Sequence, residues 1–183
     1  MKCTKMLDLP LNTERLVLRE LASDDVTEKY ASWLNNPEIN QYLESRFLEY
    51  QLGDIVGYIE KLDKDPSSLL FGIFIKENMD HIGNIKLNLG NLYHKRADIG
   101  IMIGDRDQWG NGYATEAITA VTQYGFEVLG LKKITAGCYE SNIGSKNAFE
   151  KVGFQVEGFL RSQVETRNNR EGVWKFGVLP NEI

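Results

Sequence analysis

The chain is poor in the residues that build disulfide frameworks and metal centres. It contains two cysteines and two histidines in 183 residues. Cys3 and Cys138 form no CxxC pair, and His81 and His94 stand apart from both. These spacings argue against a zinc site, and we expect no bound metal. Cys138 lies in the apolar run ITAGCYE, which predicts a buried small hydrophobe rather than a nucleophile.

Long apolar runs and an excess of basic residues are also missing. No stretch approaches the ~18 apolar residues of a membrane span, and the N-terminal segment is too weakly apolar for a signal peptide. We therefore expect a cytoplasmic protein with no membrane contact. The 21 Lys and Arg against 26 Asp and Glu give a formal charge of −5. This balance argues against a nucleic-acid partner, because phosphate contacts need clustered cations, and it mildly favours a cationic or amine-bearing partner.

What the sequence does contain is ordinary globular composition, with 42% hydrophobic and 26% charged residues. A chain of this length buries enough surface for a core without covalent staples. We therefore expect one domain over residues 1–183, with a flexible segment over residues 1–12.

The hydrophobic pattern alternates between strands and helices. Period-two runs predict strands at 14–21, 69–76, 82–90, 96–104, 132–139, 154–165 and 173–179. Three-and-four spacing predicts a helix capped by Ser23, a short helix through Tyr42, a long helix from Ala114 to Leu129 and a helix over 141–154, capped by Ser141 or Asn142 and stopped by Gly153. Residues 62–68 read as a turn cluster. This order predicts a mixed α/β or α+β domain.

Two glycines, Gly110 and Gly112, directly precede the long helix in the stretch DQWGNGYATEA. Helix starts carry unpartnered N–H groups and partial positive charge, and glycines let a backbone approach an anion closely. The stretch therefore predicts a phosphate cradle, with a simple tight turn as an equally good alternative. The Walker pattern is excluded because Tyr113 follows Gly112, and the dinucleotide fingerprint fails at Thr115.

The region DIGIMIGDRDQWGNGYATEA, followed by ESNIGSKNAFEKVGF and EGFLR, resembles the GNAT superfamily of N-acetyltransferases. Within it, the blocks look like the RimJ/RimL-like branch. The first predicted strand and the WLNNPEI segment also match, so the resemblance covers nearly the whole chain. It implies a GNAT-like single domain with a twisted, mostly antiparallel central sheet flanked by helices, and acetyl-CoA as the co-substrate.

The resemblance also implies where the coenzyme lies. Its pyrophosphate would contact backbone N–H groups of the glycine loop, and its pantetheine arm would pair with the preceding strand, where one N–H would polarise the thioester carbonyl. Trp109 stands where many relatives have Gln or Arg, so a side-chain phosphate contact is not implied. The implied coenzyme-binding residues are Ile101, Met102, Ile103, Trp109, Gly110, Asn111, Gly112, Tyr113, Ala114 and Asn142.

The chemistry needs a neutral amine and a proton for the departing thiolate. Related enzymes often donate that proton from a tyrosine at the position of Phe149, which cannot donate. Ser145, in an Asn-x-x-Ser pattern of the branch, is the candidate donor, with an ordinary exposed helix serine as the alternative. Glu116 is a candidate base acting through water, although first-turn glutamates often only complement the helix dipole. Asp98 and Glu140 are rival bases.

The acceptor is less well defined by the sequence. Candidate contacts are Trp33, Tyr42, Arg46, Phe47 and Trp174, and each aromatic could equally be a core residue. Lys175 falls where relatives in this branch often carry an acidic residue, so a ribosomal-protein substrate is not implied.

The predicted function is acetyl transfer from acetyl-CoA directly to a primary amine of a protein N-terminus, an amino sugar or another small amine. The alternatives are a non-catalytic acyl-CoA-binding module, consistent with Phe149 and the lack of an obvious base, and a nucleotide-binding protein. A homodimer is possible because homodimers are common in the branch.

Overall fold

The computed structural model describes residues 10–90, 92–167 and 169–183. The strands are β1 Leu11–Asn12, β2 Leu16–Glu20, β3 Ser68–Ile75, β4 His81–Leu89, β5 Arg96–Ile103, β6 Lys133–Tyr139, β7 Gln155–Glu165 and β8 Arg170–Val178. The α-helices are α1 Glu28–Asn35, α2 Pro37–Asn40, α3 Leu52–Asp63, α4 Tyr113–Glu127 and α5 Ile143–Val152. Cys3 and residues 1–9 of the segment expected to be flexible lie outside these ranges, whereas Leu11–Asn12 pair with β2.

The eight strands form one sheet in the order β1-β2-β3-β4-β5-β6-β8-β7. Neighbouring strands are antiparallel except for β5 and β6, which run parallel. A parallel connection needs a crossover, and α4 supplies it. The predicted mixed α/β fold with a mostly antiparallel central sheet is confirmed.

Helices cover both faces of the sheet. On one face, Ile99 of β5, Ile118 of α4 and Phe149 of α5 are almost fully buried in a common core. On the other face, Trp33 of α1 and Ile55 of α3 belong to a second, smaller core. Each strand therefore separates side chains between two layers, as the period of two requires.

The first helix begins later than predicted. Ser23 opens a 3₁₀ turn, Ser23–Asp25, and the prediction that it caps the helix is wrong. α1 instead begins after Thr27, whose Oγ1 accepts a hydrogen bond from the Tyr30 N–H at 3.2 Å. A threonine cap satisfies an otherwise unpartnered N–H of the first turn, so it fixes the start of the helix.

Helix α3 was not predicted from the sequence. Its buried residues are Ile55, Ile59 and Leu62, and their spacing of four and three places them on one helical face. The helix packs this stripe on the second core, so the amphipathic signal was present in the sequence. Within the described part of the chain, no helix has the length and apolar composition needed to span a membrane.

Two glycines of the β5 segment lie in opposite environments. A Cβ on Gly104 would lie 2.1 Å from Cδ2 of Trp33, whereas a Cβ on Gly100 would have no atom within 4 Å. We expect Gly104→Ala to lower the free energy of unfolding by about 1–3 kcal/mol because it overpacks the second core. Gly100→Ala should change it by less than about 0.5 kcal/mol. Urea denaturation of both variants measures the difference, and equal midpoints would contradict this packing.

Candidate active site

The site begins where β5 and β6 separate. Their pairing runs from Arg96↔Lys133 to Ile99↔Ala136 and ends there. β5 continues to Ile103 and β6 to Tyr139. The two strands therefore leave a cleft between them, and the backbone of β5 beyond Ile99 has no strand partner on its β6 side.

The direction of the β5 backbone groups follows from its pairing with β4. The Gly104 N–H donates to the Ile82 carbonyl at 2.9 Å. Because backbone groups alternate along a strand, Met102 directs its N–H and carbonyl toward β4, and Ile101 and Ile103 direct theirs into the cleft. Of the three strand residues predicted to contact pantetheine, Ile101 and Ile103 thus direct backbone groups into the cleft. Met102 directs its backbone groups toward β4, and its side chain packs against the second core.

The glycine loop forms a sharp turn at the mouth of this cleft. Gly110 and Gly112 have φ of 78° and 83°, which lie in the left-handed region that favours glycine. Gly112 is the N-cap of α4 and makes no side-chain capping bond. The first intrahelical bond runs from the Glu116 N–H to the Gly112 carbonyl at 3.1 Å. The N–H groups of the preceding helical positions, including Tyr113 and Ala114, are therefore free for an anion.

Arg15, just before β2, contacts the glycine loop. Its Nη1 donates to the Asn111 carbonyl at 2.9 Å, and its guanidinium lies 4.5 Å from the centre of the Tyr113 ring. The Asn111 carbonyl is thereby directed to Arg15 and away from an incoming phosphate. Sequence reasoning missed this contact because Arg15 and Asn111 are far apart in the chain.

Glu116 is bound to the same N-terminal hairpin. Its Oε1 accepts from the Thr13 hydroxyl at 2.5 Å and from the Arg15 N–H at 2.8 Å, and its Oε2 accepts from Arg15 Nε at 2.7 Å. Burial raises the pKa of Glu116, but these hydrogen bonds and the Arg15 charge outweigh burial and lower the pKa below its ordinary value. A carboxylate with both oxygens occupied and a lowered pKa supports a structural role in place of the predicted base.

Trp109 closes one end of the cleft. Its Nε1 donates to the Ile103 carbonyl at 2.8 Å, so the residue that replaces Gln or Arg bonds to the strand. The indole is 45% exposed and leaves the Ile101 N–H and carbonyl open toward β6. Ile101 therefore keeps its backbone N–H and carbonyl open in the cleft.

Asn142 and Ser145 lie at the start of α5. Asn142, one of the two predicted caps, is the N-cap of α5. Its Oδ1 accepts a hydrogen bond from the Ser145 N–H at 3.1 Å. The half-buried Ser145 side chain lies near the Cys138 thiol and, as a hydrogen-bond donor, acts to lower the pKa of that thiol. Cys138 is buried, and burial raises the pKa of its thiol to about 11 despite that donor and the nearby Lys146 charge. The thiol is therefore protonated at neutral pH.

The remaining predicted catalytic positions have other partners. Phe149 is a core residue, 1% exposed. Asp98 Oδ2 accepts from the Thr135 hydroxyl at 2.9 Å. Glu140 Oε2 accepts from the Gly172 N–H at 3.0 Å, which ties the end of β6 to β8.

A polar network that the sequence did not predict covers the end of β6 on the face opposite α4 and α5. The Tyr139 hydroxyl donates to Glu44 Oε1 at 2.5 Å and accepts from Arg46 Nη1 at 2.6 Å. Burial, followed by the Glu44 hydrogen bond, raises the pKa of Tyr139 to about 12, although Arg46 opposes both. The phenol stays neutral and holds the 3₁₀ turn Glu44–Phe47 over the cleft.

The acceptor candidates divide between surface and core. Tyr42 packs edge-on to Tyr139, with ring centres 6.0 Å apart, and Phe47 is 67% exposed. Trp33 is 3% exposed and belongs to the second core. Trp174 lies between Phe159 and the Lys146 ammonium on the α5 face. Tyr42 and Arg46 thus lie beside Tyr139 at the end of β6, Trp33 is a core residue, and Trp174 is half-buried.

Comparison with known proteins identifies the class. The acetyltransferase (GNAT) domain model matches residues 15–155. The chain is 32% identical over 174 residues to the uncharacterized N-acetyltransferase p20 of Bacillus licheniformis, covering 94% of this chain and 97% of that protein. It is 33% identical over 153 residues to the uncharacterized N-acetyltransferase YoaA of Bacillus subtilis, covering 82% and 85%.

The fold agrees with this class. The structure of spermidine N-acetyltransferase from Vibrio cholerae in complex with CoA and spermine superposes with a TM-score of 0.82 at 24% identity, covering 93% of this chain and 98% of that one. Fold and relatives together define an acyltransferase enzyme. The chain belongs to the GNAT family of N-acetyltransferases.

GNAT enzymes use acetyl-CoA, and the residues fit the coenzyme. The uncapped helix start suits a diphosphate, and the open β5 edge suits the amide-bearing pantetheine arm. Among residues 10–90, 92–167 and 169–183, no group of three His, Cys, Asp or Glu side chains is placed to hold a metal ion.

The contacts of Glu116 predict a pH-dependent contribution to stability. A lowered folded-state pKa stabilises the protein above the unfolded pKa of ~4.3, and this stabilisation is lost as pH falls through the folded value. We expect Glu116→Gln to lower the free energy of unfolding by about 1–2 kcal/mol at pH 7, with the gap narrowing below about pH 4. The kcat should fall less than tenfold, whereas loss of a general base costs ~10²–10⁴-fold.

Urea denaturation at pH 7 and pH 3.5 measures the stability, and steady-state kinetics measures kcat. Glu150→Gln removes a carboxylate from a solvent-exposed pair with Lys146 and is the matched control. A hundredfold fall in kcat with unchanged stability would restore Glu116 as the base.

Proposed function

We propose that this enzyme transfers the acetyl group of acetyl-CoA directly to a primary amine within the cleft between β5 and β6. The observation that carries the proposal is the end of β5–β6 pairing at Ile99↔Ala136 beside the uncapped start of α4. One end of the cleft offers N–H groups for a diphosphate, and its wall offers the Ile101 backbone for an amide chain. The two sites lie in the order in which the coenzyme presents these groups.

The reaction then needs little from side chains. The amine nitrogen attacks the thioester carbon. The carbonyl oxygen accepts a hydrogen bond from the Ile101 N–H as negative charge develops on that oxygen. The carbon–sulfur bond breaks as the tetrahedral intermediate collapses, and the Ser145 hydroxyl donates a hydrogen bond to the leaving sulfur. The attacking nitrogen loses its proton to solvent.

An acceptor with a weakly basic amine suits a site without an assigned base. An α-amine, with a pKa of ~7.7–8.0, is roughly one-tenth neutral at pH 7, against less than about one-thousandth of a lysine side chain. Protein N-termini, amino sugars and other small amines therefore remain the proposed acceptors. Membership of the RimJ/RimL-like branch and a homodimer remain predictions from the sequence blocks.

The non-catalytic binding module is the weaker alternative. Relatives along nearly the whole chain are named N-acetyltransferases. Phe149 does not argue against catalysis, because Ser145 lies on the same helix with a hydroxyl to donate.

The glycine loop gives a direct test of coenzyme binding. We expect Gly110→Ala to weaken binding of CoA at least tenfold, because a Cβ at φ 78° strains the turn and lies where the diphosphate approaches. Gly130→Ala is the matched control, since Gly130 also has a positive φ of 65° and open space around it but lies beyond α4. Isothermal titration calorimetry with CoA measures both, and equal losses would refute the cradle.

The serine gives a test of catalysis. We expect Ser145→Ala to lower kcat at least tenfold while the Kd for CoA changes less than threefold, because the hydrogen bond to sulfur forms as the thiolate leaves. Ser145→Thr, which keeps the hydroxyl, should recover part of the rate. Thiol-release kinetics and calorimetry provide the two readouts. Small and equal effects on both would assign Ser145 a structural role only.

A further inference from the structure

A row of residues crosses the sheet at the point where β5 and β6 separate. On the face opposite α4 and α5, Lys86 of β4 pairs with Gly100 of β5. Gly137 of β6 pairs with Lys175 of β8. Gly100 and Gly137 each directly follow the last β5–β6 pair. The row therefore places two glycines at the bottom of the cleft and one lysine on either side.

The glycines form an open floor. Both are exposed. A Cβ on Gly100 would meet no atom within 4 Å, and the nearest atom to a Cβ on Gly137 would be Lys175 Nζ at 3.2 Å. The Lys175 ammonium is thus folded back over the Gly137 backbone, beside the place where the reacting thioester would lie. Any larger side chain at either glycine would fill this space.

Lys175 forms no ion pair among the residues that the structure describes, whereas one neighbouring cation does. Lys133 on the same face pairs with Glu157 at 2.5 Å. Lys86 donates to the Tyr58 hydroxyl at 3.1 Å, a neutral partner. In the adjacent row, the Asp98 carboxylate accepts a hydrogen bond from the Thr135 hydroxyl, which leaves its negative charge in place. The two ammonium groups beside the floor thus take part in no ion pair in the described part of the chain.

We propose that Lys175, supported by Lys86, binds an anionic group of the acceptor, so that preferred acceptors are primary amines that also carry a carboxylate or a phosphate. This inference rests on the proposed function and names its substrate class. An ammonium over an open floor offers three donors to such a group. The same charge disfavours the protonated form of an amine brought next to it, which helps the amine to arrive as the free base.

The proposal separates this enzyme from acetyltransferases that act on polycations. A polyamine placed on the floor would bring ammonium groups against Lys175 and Lys86, and like charges at this distance repel. Spermidine is therefore expected to be a poor acceptor, although a structural neighbour is named a spermidine N-acetyltransferase.

Matched acceptors test the proposal. Thiol release from acetyl-CoA is measured with phenylalanine against phenethylamine, with glucosamine 6-phosphate against glucosamine, and with spermidine. The first pair differs by a carboxylate and the second by a phosphate, so the two arms separate the sources of negative charge. For the wild-type enzyme we expect kcat/KM for the anionic member of at least one pair to exceed that of its neutral partner at least tenfold.

Variants assign the effect to the lysine. Lys175→Gln should lower kcat/KM for the anionic member about tenfold and change that for its neutral partner less than threefold. Lys175→Glu should raise kcat/KM for spermidine. Lys151→Gln, an exposed lysine on α5 at the opposite face, is the matched control and should change neither. Equal use of both members of each pair, or a spermidine preference that Lys175 variants leave unchanged, would overturn the proposal.

A binding measurement distinguishes failure of the proposed function from failure of the acceptor proposal. If no amine releases thiol although CoA binds, the proposed function fails. Calorimetric titration of each amine into the CoA-saturated protein then decides the present inference by itself. Tighter binding of the anionic members that Lys175→Gln removes supports it, and equal binding of all members refutes it.

Discussion

The site depends on one backbone constraint, which is that β5 and β6 stop pairing after Ile99↔Ala136. They are also the one parallel pair in the described sheet. Parallel neighbours must be joined by a crossover, and α4 makes that crossover. The start of α4 therefore follows the end of β5, so free helical N–H groups and a free strand edge meet at one place. Apart from the Ile103 carbonyl, which accepts from Trp109, these groups have no partner among the described residues, and a coenzyme with a diphosphate and an amide arm would satisfy them.

Charge at the helix start is arranged around this constraint. A first-turn carboxylate such as Glu116 would oppose a phosphate that binds nearby, even though it suits the helix dipole. Arg15 pairs with this carboxylate at 2.7 Å and also holds the Asn111 carbonyl. The negative charge is thereby compensated, and the loop presents N–H groups toward the cleft. The opposite arrangement holds at Lys175, a cation that forms no ion pair with any residue the structure describes.

The sequence predicted the local features of the site and missed those that depend on strand register. The glycine turn and the Asn142 cap are properties of neighbouring residues, and the structure has both. The partners of Glu116 lie about a hundred positions away, so a first-turn glutamate was open to interpretation as a base. In the sequence, Lys175 stands out only as a departure from relatives. Its position beside Gly137 follows from the pairing of β6 with β8, which the sequence does not show.

The role of Trp109 also depends on contacts that form only in the folded structure. Its side chain replaces one that often contacts phosphate, but its bond to the Ile103 carbonyl appears only when the loop folds back on β5. Periodicity gave most strands and the long helices correctly, since one face of each is buried. Helix α3 was not predicted, even though its buried apolar residues Ile55, Ile59 and Leu62 recur at helical spacing.

The clamp between Arg15 and Glu116 has a consequence for how the protein folds. These residues are 101 positions apart, and contacts of such high sequence separation form slowly because a long loop must close first. A chain whose N-terminal hairpin had not docked on α4 would lack the Arg15 contacts to Asn111 and Glu116. The shape of the glycine turn therefore depends on a segment about a hundred positions away.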